Sequence, residues 1–210
     1  MTSRSRHRER RPARRKPVQL PRRRLLVVCE GERTEPEYIR GFERLARNAT
    51  VEIEIPPDRG DPKRLVEIAR EMSRSARLAA VRHDDSFLAF DEVWCVFDRD
   101  EHVRFDEAIS MARGNRILLA VSNPCVELWL LLHFRDSPGA RHRRDVQLLL
   151  RHHLPSYNKH LDFKEVAHGV QQATDRARRL DRDAEAMGEA GRNPTTGFFR
   201  LTDSITRIDG

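Results

Sequence analysis

Four short strand-like runs separated by helix-like stretches constrain the fold more than any other feature of this chain. LLVVC (25–29), EVWCVF (92–97) and RILLAVS (116–122) are near-continuous apolar runs that read as strands buried on both faces. VEIEI (51–55) alternates apolar and charged residues, the pattern of a half-buried edge strand. Helices are predicted over 35–47, 63–80 and 103–113, the last ending near Gly114. For the first of them, Thr34 and Glu37 have capping-box spacing and Pro36 falls in the opening turn. Asn123-Pro124 reads as N-cap and first residue of a fourth helix through about Phe134. This βαβαβαβ order implies an α/β fold, a largely parallel sheet covered by helices on both faces. Residues 141–208 are expected to add further helices, interrupted around LPSYNKHLDF (154–163) and GRNPTTG (191–197).

Charge divides the chain differently. Residues 1–24 hold eleven Lys/Arg and one acid, a net of +10 in a chain of formal charge +7, so residues 25–210 carry −3. The expected organisation is a disordered basic arm over 1–23 and one compact unit over 24–210. Clustered Lys/Arg gains affinity for a polyanion by counterion release, without needing a fold. The arm lacks the apolar region of a secretory signal, and no stretch approaches the ~18 apolar residues of a membrane span. Cys29, Cys95 and Cys125 have no CxxC spacing and read as small buried hydrophobes, and His152-His153 alone makes no metal site. A cytoplasmic protein without a membrane partner is expected.

In open α/β sheets, side chains at the carboxyl ends of parallel strands converge on one crevice. Here the first apolar strand ends in Glu30-Gly31, the second in Asp98-Arg99-Asp100 beside Glu101, and the third in Ser122-Asn123, with Glu127 shortly after. Residues i and i+2 of an extended segment share a face, so Asp98 and Asp100 can present two carboxylates together. Such acids repel one another unless neutralised, and a hard divalent cation such as Mg²⁺ or Mn²⁺ prefers oxygen ligands of this kind. That cation could polarise a phosphodiester and activate water. Glu30 is placed to complete the pocket with the DxD, and Gly31 lets the chain turn without a side chain in the way.

VCEGERTEPEY, VWCVFDRDEH and VSNPCVELWLLLHF resemble, in order and spacing, the RloB-like family, whose core is a Toprim domain. YNK (157–159) and NPTTG (193–197) resemble later blocks of that family, so the likeness spans roughly residues 24–200. The resemblance implies a Toprim/Rossmann-like parallel sheet with additional C-terminal helices. By the same likeness Glu30 would be general acid/base or metal ligand, and Asp98 and Asp100 metal ligands. By analogy with related Toprim nucleases, such as the overcoming-lysogenization-defect nucleases, Glu127 would hold a second cation and Lys159 would stabilise phosphate charge. The activity implied is a metal-dependent nuclease acting on DNA or RNA, in restriction-associated or abortive-infection defence against viruses, with an ATPase partner. Val126 departs from the family by standing where an aromatic is common.

Two other readings compete. A Toprim-like scaffold would bind nucleic acid or a partner without cutting. A haloacid-dehalogenase-type phosphatase would use Asp98 as nucleophile, Asp100 as acid and Ser122 as phosphate binder. It fails because its DxD belongs on the first core strand, and because the late acidic pair DRDAE (181–185) follows a polar helix. No GxxxxGK[ST] or GxGxxG is present, so any NTPase activity belongs to a partner.

Overall fold

The computed structural model describes residues 22–99 and 104–208. The expected arm therefore lies, through residue 21, outside the described residues. Four parallel strands, β1 (Arg23–Cys29), β2 (Val51–Glu54), β3 (Glu92–Asp98) and β4 (Leu118–Asn123), form a sheet with β5 (Thr195–Thr196), in the order β2-β1-β3-β4-β5. The alternating run is the edge strand and the continuous apolar runs are interior, as burial on one or two faces requires. β5 pairs antiparallel with β4, Ser122 opposite Thr196 and Asn123 opposite Thr195.

Among the described residues seven helices cover this sheet: α1 (Thr34–Ala46), α2 (Pro62–His83), α3 (Phe105–Gly114), α4 (Glu127–Leu131), α5 (Arg143–His153), α6 (Val170–Ala186) and α7 (Phe198–Thr206). Alternate strand residues serve opposite faces. Leu26, Val28, Val93, Cys95 and Phe97 join α2 and α3 in one core. Leu25, Val27, Cys29, Trp94 and Val96 join α1 and α4–α7 in the other. The second core is built round Tyr38, whose ring packs edge-on against Trp129, Phe163 and Phe198. Its hydroxyl meets His133 Nε2 at 3.0 Å, while His133 Nδ1 lies 2.9 Å from the Trp129 carbonyl. Burial pushes the His133 imidazole down to about 4, so it is a neutral core residue. All three cysteines are buried and free.

Several local expectations are corrected. β1 starts at Arg23, so the arm boundary at residue 23 falls inside the strand. Asn123 is not an N-cap. It is the last residue of β4, with Nδ2 donating to the Gly191 carbonyl at 2.8 Å and a cis peptide to Pro124. The fourth helix is accordingly only Glu127–Leu131, followed by turns to Phe134. The capping box does not form: Arg33 precedes α1 without a side-chain cap. Thr34 and Glu37 bond instead to a loop more than 120 residues away. β5 had no apolar run to announce it, since a two-residue ladder needs only the partner edge.

Glu92 ties the C-terminal helix to the amino end of the sheet. It accepts from Arg23 Nη2 at 2.9 Å, Trp94 Nε1 at 2.8 Å and Ser204 Oγ at 2.5 Å, and pairs with Arg207. Burial would raise its pKa, but the Ser204 and Trp94 hydrogen bonds and the two arginines outweigh burial and hold it below the usual value. A carboxylate depressed in this way stabilises the fold above its unfolded pKa, and that stability is lost as pH falls through the folded value. Glu92→Gln should therefore cost about 1–3 kcal/mol in urea unfolding at pH 7. The difference should begin to shrink below the ordinary carboxylate pKa of about 4.3 and vanish only as pH falls through the lower folded value.

Candidate functional site

Glu30 follows directly on β1 and Asp98 closes β3, and the parallel register, Cys29 opposite Val96, sets both at the carboxyl rim. The Glu30 N–H extends the ladder one step to the Val96 carbonyl at 2.9 Å, and Glu30 Oε2 accepts the Asp98 N–H at 2.9 Å. Asp98 is 8% exposed; its Oδ1 accepts the Val126 N–H at 2.8 Å, and Arg143 Nη2 lies 3.5 Å from Oδ2. Burial, then the charges of Glu35, Glu127 and Glu30, pushes its carboxyl well above the usual range, and Arg143 only partly opposes this. Asp100, with its neighbour Glu101, lies outside the described residues.

Glu35 belongs to the same acidic group and sequence reading missed it. Its carboxylate is buried in the first turn of α1, with Oε1 accepting the Gly31 N–H at 3.1 Å. A Cβ on residue 31 would stand 2.0 Å from Glu35 Oε2, so the glycine leaves space for that carboxylate as well as for the turn. Burial raises the Glu35 pKa, the charges of Glu127 and Glu30 add to it, and the N–H groups of residues 35 and 31 oppose it. An acid in a helix's first turn ordinarily reads as a dipole partner, which is why Glu35 drew no notice.

Glu127 is fully buried at the start of α4. Three donors converge on its Oε1: Lys159 Nζ, Tyr157 hydroxyl at 3.1 Å and Gln147 Nε2 at 3.3 Å. Its Oε2 is buried with no nitrogen or oxygen partner among the described residues. Burial would raise its pKa, but the Lys159 charge and hydrogen bond, with the Cys125 thiol, outweigh burial and keep it below the usual value. Lys159 is correspondingly raised: burial would lower it, and Glu127 overrides that.

Lys159 has a positive φ of 75°, a conformation its loop must enforce. The enforcement comes from α1. Thr34 Oγ1 donates to the Lys159 carbonyl at 3.0 Å and meets the Tyr157 hydroxyl at 2.9 Å. Glu37 accepts the Leu161 N–H at 2.6 Å and pairs with His160.

A cavity of about 460 Å³ opens over Glu30, Glu35, Asp98, Arg143, Asn158 and Lys159. A smaller one of about 170 Å³ shares Asn158 and Lys159 and continues to Glu127 and Arg151. A larger cavity of about 810 Å³ lies between α2 and the α3–β4 turn, lined by arginines such as Arg70 and Arg116. It holds none of these acids, and the convergent chemistry is at the carboxyl rim. Glu30, Asp98, Glu127 and Lys159 are thus brought together. Among the described residues no group of three His, Cys, Asp or Glu side chains is set to hold a metal by itself. Tyr157, from the YNK block, completes the site with Arg143 and Gln147, which went unnoticed in the sequence. The only signal of those two was their 143/147 spacing on one helical face.

The chain is thus an α/β protein with a mostly parallel sheet and an acidic crevice at the carboxyl rim. Residues 25–205 match the family described as RloB-like protein, and the chain belongs to that family. No curated protein and no solved structure matches it. Among the described residues no helix is long and apolar enough to cross a membrane.

The raised Asp98 pKa makes a stability prediction. A carboxyl whose folded pKa is raised favours folding when protonated, and that contribution is lost as pH rises through the folded value. In chelator at pH 8, Asp98→Asn should melt a few degrees above the parent protein, because the amide can keep the Val126 bond without a buried charge. The gap should close as pH falls towards about 3.9, the ordinary aspartate value. A lower melting point at pH 8 would contradict this account of the acid cluster.

Proposed function

We propose that this protein is a metal-dependent nuclease of the Toprim type, cleaving phosphodiester bonds of DNA or RNA. The observation that carries the reading is the Glu30 carboxylate docked on the Asp98 N–H, with Asp98, Glu35 and Glu127 buried round the same rim. Four acids in so small a region are costly unless a cation or protons accompany them. The donor set fits a hard divalent cation such as Mg²⁺ or Mn²⁺: every candidate ligand is a carboxylate oxygen, and Glu127 Oε2 is buried without a nitrogen or oxygen partner among the described residues.

In this proposal Glu30 and Asp98 hold the cation, with Asp100 expected to contribute and Glu127 a candidate for a second. When bound, the ion supplies Lewis-acid polarisation of the phosphoryl oxygen and a lowered pKa for water. Glu30, oriented by the Asp98 N–H, would take the proton of the attacking water as its oxygen bonds to phosphorus and the bond to the leaving oxygen breaks, and would return that proton to the leaving oxygen. Arg143 and Lys159 place positive charge beside the phosphate. Lys159 must share its ammonium between Glu127 and that phosphate, a division consistent with its 54% exposed side chain. The family likeness further supports a role in antiviral or abortive-infection defence with an ATPase partner.

No observation favours the phosphatase reading. Ser122, its required phosphate binder, is 1% exposed, and its hydroxyl lies 2.9 Å from Thr196 Oγ1. Cleavage of labelled DNA and RNA should require Mg²⁺ or Mn²⁺ and stop with chelator. Glu30→Gln and Asp98→Asn should each lower the rate by at least ~10³-fold, a loss of about 4 kcal/mol of transition-state stabilisation. Circular dichroism should show both variants folded. Mn²⁺ should raise the parent protein's melting temperature and raise that of Asp98→Asn much less. Folded variants that cleave at the parent rate would remove the assignment, and a protein that binds but never cuts would be the scaffold.

A further inference from the structure

One face of α5 runs along the site. Arg143, Gln147 and Arg151 stand at i, i+4 and i+8, so they share a stripe of the helix about 12 Å long. The rotation of that stripe is set by Val146 and Leu150, which are buried in the core beside it. Arg143 meets Asp98, Gln147 donates to Glu127, and Arg151 lines the continuation of the cleft beyond them. Asn158 and Lys159 line both cavities, so the cleft over Glu30 and Asp98 and the space beside Arg151 are neighbours across that segment. Arg151 is exposed, and no ion pair or hydrogen bond engages its side chain among the described residues.

We propose that this stripe is the binding track for the nucleic-acid backbone on one side of the cleavage point. The proposal rests on the nuclease reading for the identity of its ligand. A single phosphate would be satisfied by Arg143 and Lys159; a cationic and amide stripe of about 12 Å suits successive phosphates of one strand. Its donors are guanidinium, amide and ammonium groups, with no aromatic for base stacking except Tyr157, whose hydroxyl is already committed to Glu127 and Thr34. Contacts from such groups to successive phosphates carry no sequence information, so the track selects a strand and not a sequence. Arg151 is the residue that distinguishes this site, because it touches neither acid.

Arg151 also lies in the last turn of α5, where a cation suits the negative end of a helix. That structural role alone would affect melting and leave binding untouched. The test uses the full chain in chelator, so that cleavage plays no part, and a fluorescein-labelled single-stranded 12-mer followed by anisotropy. Arg151→Gln should weaken binding roughly 5–10-fold at low salt and reduce the slope of log affinity against log salt by about 0.7. Arg151→Lys should retain most of both. Arg113→Gln, an exposed arginine in the last turn of α3, should match the parent protein. Parent-like affinity and slope for a folded Arg151→Gln, or an equal loss in Arg113→Gln, would overturn the track. If Arg151→Gln binds normally while Glu30→Gln still abolishes cleavage, the track falls and the nuclease reading stands. If the parent protein binds no nucleic acid, both fall together.

Discussion

The hydrogen bond from the Asp98 N–H to the Glu30 carboxylate is the contact on which the site depends. β1 and β3 are adjacent strands inside the sheet, and their ladder runs out at this rim. At that point one strand's last N–H still needs an acceptor, and the other supplies a side chain in place of a carbonyl. The exchange satisfies a backbone donor that the sheet could not. It also fixes the Glu30 carboxylate against the backbone of Asp98, so two acids separated along the chain keep one relative position. The parallel register does the rest, because both strands deliver their carboxyl ends to the same side.

The acids are not equivalent once placed there. Glu127 is the most deeply buried and the best neutralised, since Lys159, Tyr157 and Gln147 all aim at one of its oxygens. Asp98 has one backbone donor and a longer contact to Arg143, and Glu35 has Gly31. Burial therefore dominates for these two, and their pKa values rise where that of Glu127 falls. Such an arrangement stores unfavourable charge beside one compensated ion pair. It invites a proton or a cation at neutral pH, and it sets the fold's interest against the site's, as functional sites commonly do.

Much of this was legible in the amino-acid order because strand burial leaves a strong pattern. Three near-continuous apolar runs gave interior strands, the alternating run gave the edge, and the acids that closed the runs pointed to one rim. What escaped was decided by tertiary contact. Thr34 and Glu37 have the spacing of a local cap, yet both reach the 157–161 loop instead. Asn123-Pro124 has the composition of a helix start, yet the sheet claims Asn123 through Thr195. Glu35 looks like any acid at a helix N-terminus until Gly31 is seen to make room for it. Local spacing cannot rank such contacts against distant partners, and here the distant partners won.

Those same contacts explain how a lysine remote in sequence reaches the acids. The opening turn of α1 sends three side chains in three directions. Glu35 turns back to the Gly31 loop, Thr34 to Tyr157 and the Lys159 carbonyl, and Glu37 to Leu161 and His160. One helical turn thus braces both the segment following Glu30 and the segment carrying Lys159. A positive φ at Lys159 costs energy for a residue with a Cβ, and the Thr34 and Glu37 bonds on either side offset it. The capping bonds that α1 forgoes are the ones that would have kept these side chains local. The helix start is left uncapped by a side chain so that the carboxyl rim and the lysine loop form one unit.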